Sequence, residues 1–233
     1  MIVSFFEEFP NDINLQEKLR LITFPSNLYI AAKSVDEFKK IESRVRNKNV
    51  NKIYYWPILN KEDGYWISPF VNPIALKKVI SEINNISTMI DLELPINKYL
   101  IFRNFRYYFK NRNIIKKFLK NNNKVLAVET SLNEFVKKIL GISYNKTIKA
   151  VMFYSSSFRV SRNMKNKILE KLSKKYKIIG LGCLASGIYK NEKIITTDDF
   201  NEDLKIAKKN DVEEIILFRL GGFNNEYKKL LRI

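Results

Sequence analysis

Two carboxylates stand two residues apart in Asp91-Leu92-Glu93-Leu94-Pro95, at the end of a short apolar run. Residues two apart in an extended strand share a face, so this spacing aims both acids to one side. Two carboxylates that close cannot both ionise without mutual cost, and one is expected to keep its proton to higher pH. A general acid working near neutrality needs that property. The same pair also suits a helix cap or a lysine-bridged loop. Comparable groups end other apolar runs: Glu7 and Glu8, Glu129-Thr130, and Tyr154-Ser155-Ser156-Ser157. Both tryptophans, Trp56 and Trp66, fall in one segment with Tyr55, Tyr65 and Phe70. Rings with an apolar face and a polar edge suit sugars, and they also stack on bases. They fold over a sheet edge as local core as readily.

These groups need a frame. Eight short apolar runs recur along the chain: Ile2–Phe6, Leu28–Ala32, Ile53–Trp56, Thr88–Leu92, Val125–Val128, Ala150–Tyr154, Ile178–Gly182 and Glu214–Phe218. Each gap holds a loop, a helix and a second loop, the repeating unit of a parallel sheet. Helix starts are written between them. Ser34 to Glu37 and Ser131 to Glu134 read as capping boxes, and Asn72-Pro73 as an N-cap with proline at the first turn. Apolar stripes follow, including Phe135, Val136 and Ile139 behind Ser131, and Phe200, Leu204 and Ala207 further on. Residues 97–121 are long enough for two helices, and Leu19–Phe24 fits a helix or an extra strand. No linker divides the chain, so residues 1–233 read as one domain. The expected fold is a single (β/α)8 TIM barrel, with an open doubly wound sheet as the other arrangement. A barrel places its chemistry at the C-terminal ends of its strands, where the groups above are found.

Composition narrows the chemistry. There is no histidine among the 233 residues. That removes Ser-His-Asp hydrolysis and the His-dependent metal barrels, leaving Asp, Glu, Tyr, Lys and the single Cys183 for proton transfer. The motifs ask for no cofactor and no metal. One cysteine, no basic-flanked leader and no apolar run near the roughly 20 residues of a membrane span lead to a cytoplasmic expectation without membrane contact. Lys and Arg number 42 against 24 Asp and Glu, a net charge of +18. Such a charge attracts polyanions, and scattered lysines equally form a solvated surface.

The strand-four segment Asp91-Leu92-Glu93-Leu94-Pro95 resembles the signature of family-18 glycoside hydrolases, chitinase-like barrels whose fourth strand ends Asp-x-Glu-aromatic-Pro. Val151-Met152-Phe153-Tyr154 is similar to that family's strand-six segment, Met-x-Tyr. The resemblance implies that Glu93 protonates the leaving glycosidic oxygen and that Asp91 orients the substrate's N-acetyl group. It implies further that Tyr154 stabilises the cyclised intermediate of a substrate-assisted hydrolysis. Glu7, Trp56, Tyr65, Trp66 and Glu129 would line the substrate, a small molecule or an oligosaccharide. The sequence departs from the family at Ser155, where an aspartate is usual, and at Phe218-Arg219, where a tryptophan ends strand eight.

Two other readings stand beside this one. Gly182, Gly221 and Gly222 follow strands seven and eight, where barrels commonly bind phosphate, with Lys190 and Arg219 near. A sugar-phosphate lyase would need a lysine, and the strand runs offer none beyond Lys52, at the start of the third and so at the wrong end. The run Arg103 to Arg112 mixes cations with Phe105, Tyr107, Tyr108 and Phe109, followed by Lys116, Lys117, Lys120 and Lys124. That mixture would bind RNA or DNA without catalysis. Its helical spacing also fits an amphipathic helix that turns its aromatics inward.

Overall fold

A computed structural model describes residues 1–11, 14–83, 86–122, 124–145 and 147–231. Eight strands alternate with helices: β1 (Ile2–Glu7), β2 (Ser26–Ala32), β3 (Val50–Pro57), β4 (Met89–Leu92), β5 (Leu126–Thr130), β6 (Ile148–Phe153), β7 (Ile178–Cys183) and β8 (Glu214–Phe218). The sheet order is β3-β2-β1-β8-β7-β6-β5-β4, with parallel pairing. A parallel bridge from Tyr55 to Thr88 joins β3 to the residue before β4, the two ends of that order. This is the (β/α)8 barrel fold. Every residue of β2 and β8 is buried, as expected of parallel strands covered on both faces.

The helices are α1 (Val35–Glu42), α2 (Pro73–Glu82), α3 (Tyr99–Arg103), α4 (Tyr108–Asn121), α5 (Glu134–Leu140), α6 (Arg162–Lys175), α7 (Thr197–Lys209) and α8 (Asn225–Leu230). Residues 97–121 do hold two helices, α3 and α4, joined by a 3-10 turn at Phe105–Tyr107. The connection after β1 is a π turn at Asn14–Lys18 and a 3-10 turn at Leu19–Leu21. Asp12 and Ile13 of that segment lie outside the described residues. The chain packs as two compact units. The first comprises residues 1–30, 40–53 and 150–233, the second 31–39 and 54–149.

In the first unit a polar knot lies at the start of β8. Glu214 accepts hydrogen bonds from Ser4 (2.5 Å), Asn27 (3.0 Å) and Tyr29 (3.0 Å). It satisfies the side chains that enter β1 and β2 at the N-terminal end, the end that serves stability in this fold. The caps follow their local chemistry. Ser34 accepts from the Glu37 amide, Asn72 from the Ile74 amide and Thr196 from the Asp199 amide.

Four local expectations are corrected. The α5 cap is Asn133, which accepts from the Phe135 amide, rather than Ser131. Helix α5 therefore starts later than a capping box at Ser131 implies. Phe135, Val136 and Ile139 are exposed, while Lys137 is buried. Along α3 and α4 the aromatics divide: Tyr108 is buried, but Phe102, Phe105 and Phe109 are 62–79% exposed. The inward face of α4 is taken by Asn111, Ile115, Phe118 and Leu119. Lys149 lies within β6, because that strand begins at Ile148.

Candidate functional site

The second unit holds the carboxylate pair. Asp91 is buried within β4, and Glu93 is half-buried one residue beyond its end. The sheet register decides which neighbours Asp91 keeps. Tyr55 pairs with Thr88, and Leu92 pairs with Glu129. Register partners on parallel strands project from one face, and alternate residues from the other. Asp91 therefore shares a face with Trp56, while Glu129 projects with Leu92 from the opposite one. The Tyr55 ring packs 5.2 Å from Phe38 of α1 on its own side.

Glu129 is committed on that opposite face. Its carboxylate, fully buried, lies 2.7 Å from the Lys137 ammonium of α5 and 2.7 Å from that of Lys149. Lys137 also pairs with Glu134 at 2.8 Å. A buried carboxylate needs such compensation, which is why α5 turns its lysine inward and leaves its apolar stripe outside. The structure does not bring Glu129 together with Asp91.

The aromatic connection after β3 is built by backbone geometry. Gly64 and Tyr65 both have positive φ, 130° and 70°. For tyrosine that conformation is costly, and the loop holds it with hydrogen bonds from the Tyr65 amide to Asn60 and from the Leu59 amide to Tyr65. The reversal presents Ile67, whose amide donates 3.1 Å to the Asp91 carbonyl. The loop is thereby laid on the end of β4. Tyr65 and Trp66 meet edge to face at 5.5 Å. Trp56, Tyr65 and Trp66 are each at most 5% exposed, so they form an apolar wall rather than an open stacking platform. Asn104 and Asn111 anchor the following turn by donating to the carbonyls of Phe70, Pro69 and Val71.

In the first unit Glu7 ends β1, fully buried. It accepts from the amides of Phe9 (2.8 Å) and Gly221 (2.7 Å) and pairs with Arg219 at 3.2 Å. Burial pushes its carboxyl above the usual glutamate range, against the opposing pull of Arg219 and the two amides. The Gly221 amide, which a phosphate would need, thus already serves a carboxylate. Gly222 lets the chain pass β7 closely: a Cβ there would lie 2.0 Å from the Leu184 carbonyl oxygen. Gly182 takes a left-handed φ of 73°. Arg219 also donates to the Ser186 carbonyl at 2.9 Å and covers the Phe9 ring.

Tyr154 follows β6, half-buried, its ring 5.4 Å from Phe218. The next residue, Ser155, donates to Asp203 of α7 at 2.6 Å, and Arg162 of α6 reaches the same carboxylate at 2.6 Å. Burial raises the Asp203 carboxyl, with Ser155 and Arg162 pulling it down. The sequence carried a signal for this cluster: Asp203 sits on the stripe of Phe200, Leu204 and Ala207, where only an acid with a buried partner belongs. Burial also pushes the Cys183 thiol up to about 12, which makes it a poor nucleophile.

No protein-family model matches the sequence, and no curated protein does. Solved structures do. A class V chitinase from Nicotiana tobaccum superposes with a TM-score of 0.54 at 12% identity, covering 100% of this chain and 99% of its own. A D-psicose 3-epimerase from Clostridium cellulolyticum gives 0.53 at 11% identity, over 99% and 97%. An L-ribulose 3-epimerase gives 0.50 at 9%, over 97% and 83%. The chain shares their fold. Among the described residues no helix is long and apolar enough to cross a membrane.

Proposed function

We propose that the protein is a carbohydrate-active barrel that hydrolyses an N-acetylated sugar, with Glu93 as the general acid. The observation that carries this reading is the end of β4. Asp91 is buried on the face it shares with Trp56, Glu93 is the half-buried carboxylate immediately beyond, and the aromatic loop is tied to Asp91 through Ile67. As the general acid, Glu93 would deliver its proton to the glycosidic oxygen as the bond breaks. Asp91, with its backbone fixed by the sheet and the loop, is suited to orienting the N-acetyl group. The chitinase likeness in fold supports a carbohydrate substrate, and the epimerase likeness supports a sugar more broadly. Tyr154 enters on the resemblance of its segment alone.

Glu93→Gln keeps the size and the hydrogen-bonding capacity of the side chain and removes the proton. Turnover of a chitooligosaccharide with a chromogenic leaving group should fall by about 100-fold or more, the usual weight of general acid catalysis. The melting temperature should hold. Unchanged turnover in that variant would overturn the assignment.

A further inference from the structure

A cavity of about 660 Å³ opens in the second unit, between α4 and the segment that follows α5. That volume lies in the range of ligand pockets, roughly 300–1,000 Å³. Arg112, Lys116 and Lys120 line one side. They recur every fourth residue, so they stand on one face of α4 about 6 Å apart along its axis. Lys138 of α5 faces the same space, Phe109 stands at its margin with its ring 72% exposed, and Tyr144 lines it from the far segment.

The charges here are uncompensated. Among the described residues none of Arg112, Lys116, Lys120 or Lys138 is ion-paired, whereas Lys137 and Lys149 of the same unit are. The chain contains no acid at all from residue 94 to residue 128, across nine lysines and arginines. The Tyr144 hydroxyl is buried and has no hydrogen-bond partner among the described residues, with the Arg112 charge acting on it. Four cations and an unused hydroxyl around one concavity are the complement of a multiply anionic ligand.

We propose that this cavity and the cationic row leading from it bind single-stranded nucleic acid, with phosphates on Arg112, Lys116, Lys120 and Lys138 and a base stacked on Phe109. The row is longer than one nucleotide. Arg103 of α3, Arg106 of the 3-10 turn and Lys110 of α4 add cations just upstream in the chain, and the exposed side chains of Phe102 and Phe105 are interleaved with them in sequence. Exposed rings interleaved with cations follow the pattern of strand-binding grooves, and only unpaired bases offer faces to stack. A bilayer would call for a continuous apolar face. Here charged side chains separate the phenylalanines, and polar Asn113 and Ser143 help line the cavity.

The test uses the full chain and fluorescein-labelled 15-mers of dT and rU, read by anisotropy over a salt series. Binding should weaken steeply with salt. The triple variant R112E/K116E/K120E should lose about ten-fold or more in affinity, and its slope of log K against log salt should flatten by about 2, near 0.7 for each lost contact. A charge-matched control on α6, K167E/K171E/K174E, should retain most of the affinity. Phe109→Ala should weaken binding about five-fold or more. Should the triple variant unfold, K116Q with K120Q gives the same readings on a smaller scale. Equal losses in the two triple variants would reduce the effect to net charge and overturn the proposal. So would no binding by the parent protein, displacement by free mononucleotide as effective as by unlabelled strand, or capture by phosphatidylserine vesicles without any by the oligonucleotides.

Discussion

Glu7 ends an apolar run, the mark of a substrate contact, yet its two oxygens are engaged by Phe9, Gly221 and Arg219. Burial outweighs those donors and raises its carboxyl above the ordinary value of 4.5. An acid raised in the folded state favours folding when protonated. Its contribution is complete below about pH 4.5 and is lost as pH rises through the folded value. Glu7→Gln should remove this component, so the melting temperature of the variant should fall less than the parent's between pH 4.5 and neutrality. Parallel melting curves against pH would count against it. Neighbouring Gly222 carries a different lesson: its Cβ-free approach to Leu184 explains a glycine that sequence alone assigned equally well to an anion.

Helix α5 is the element whose local pattern misled. Phe135, Val136 and Ile139 form an apolar stripe, and periodicity turns such a stripe inward. The structure turns it outward because Lys137 must reach Glu129, 2.7 Å away on a strand neighbouring β4. An unpaired buried carboxylate costs more than the exposure of three apolar side chains on one short helix. Lys137→Ala leaves Lys149 on the other oxygen of Glu129, so it should destabilise the protein by about 3 kcal/mol, the lower end of the cost of breaking a buried pair. Lys137→Ala with Glu129→Gln should recover part of that loss. Urea unfolding of the three proteins measures both quantities, and additive losses would refute the coupling. The same logic governs α3 and α4. Their aromatics stand at helical spacing, but the inward positions of α4 are filled by Asn111, Ile115, Phe118 and Leu119, so Phe102, Phe105 and Phe109 remain outside.

The whole molecule carries +18 on 233 residues. Like charge at that density opposes the compact state, and salt screens exposed charges while leaving buried pairs such as Glu129 with Lys137 largely untouched. The melting temperature should rise between about 10 mM and 150 mM sodium chloride, as the Debye length falls from about 30 to 8 Å. A flat or falling curve would show that the surface charge is internally balanced. The (β/α)8 fold was legible in the sequence because it rests on alternation. All eight apolar runs are strands, with ends shifted by a few residues, and periodicity is a local property that survives without neighbours. Asp91, Glu93 and the tryptophan loop were legible for the same reason, as residue types at strand ends. Which of them share a face was not. The register of β3, β4 and β5 puts Trp56 with Asp91 and sends Glu129 to the other side. Strands, most of the caps and the excess of positive charge follow from the order of residues alone. Folding in three dimensions selects which carboxylates are neutralised by lysines, which aromatics are wall and which are surface, and where four cations surround a cavity. Those outcomes depend on pairing between segments far apart in the chain, where the cost of an uncompensated buried charge overrides local pattern.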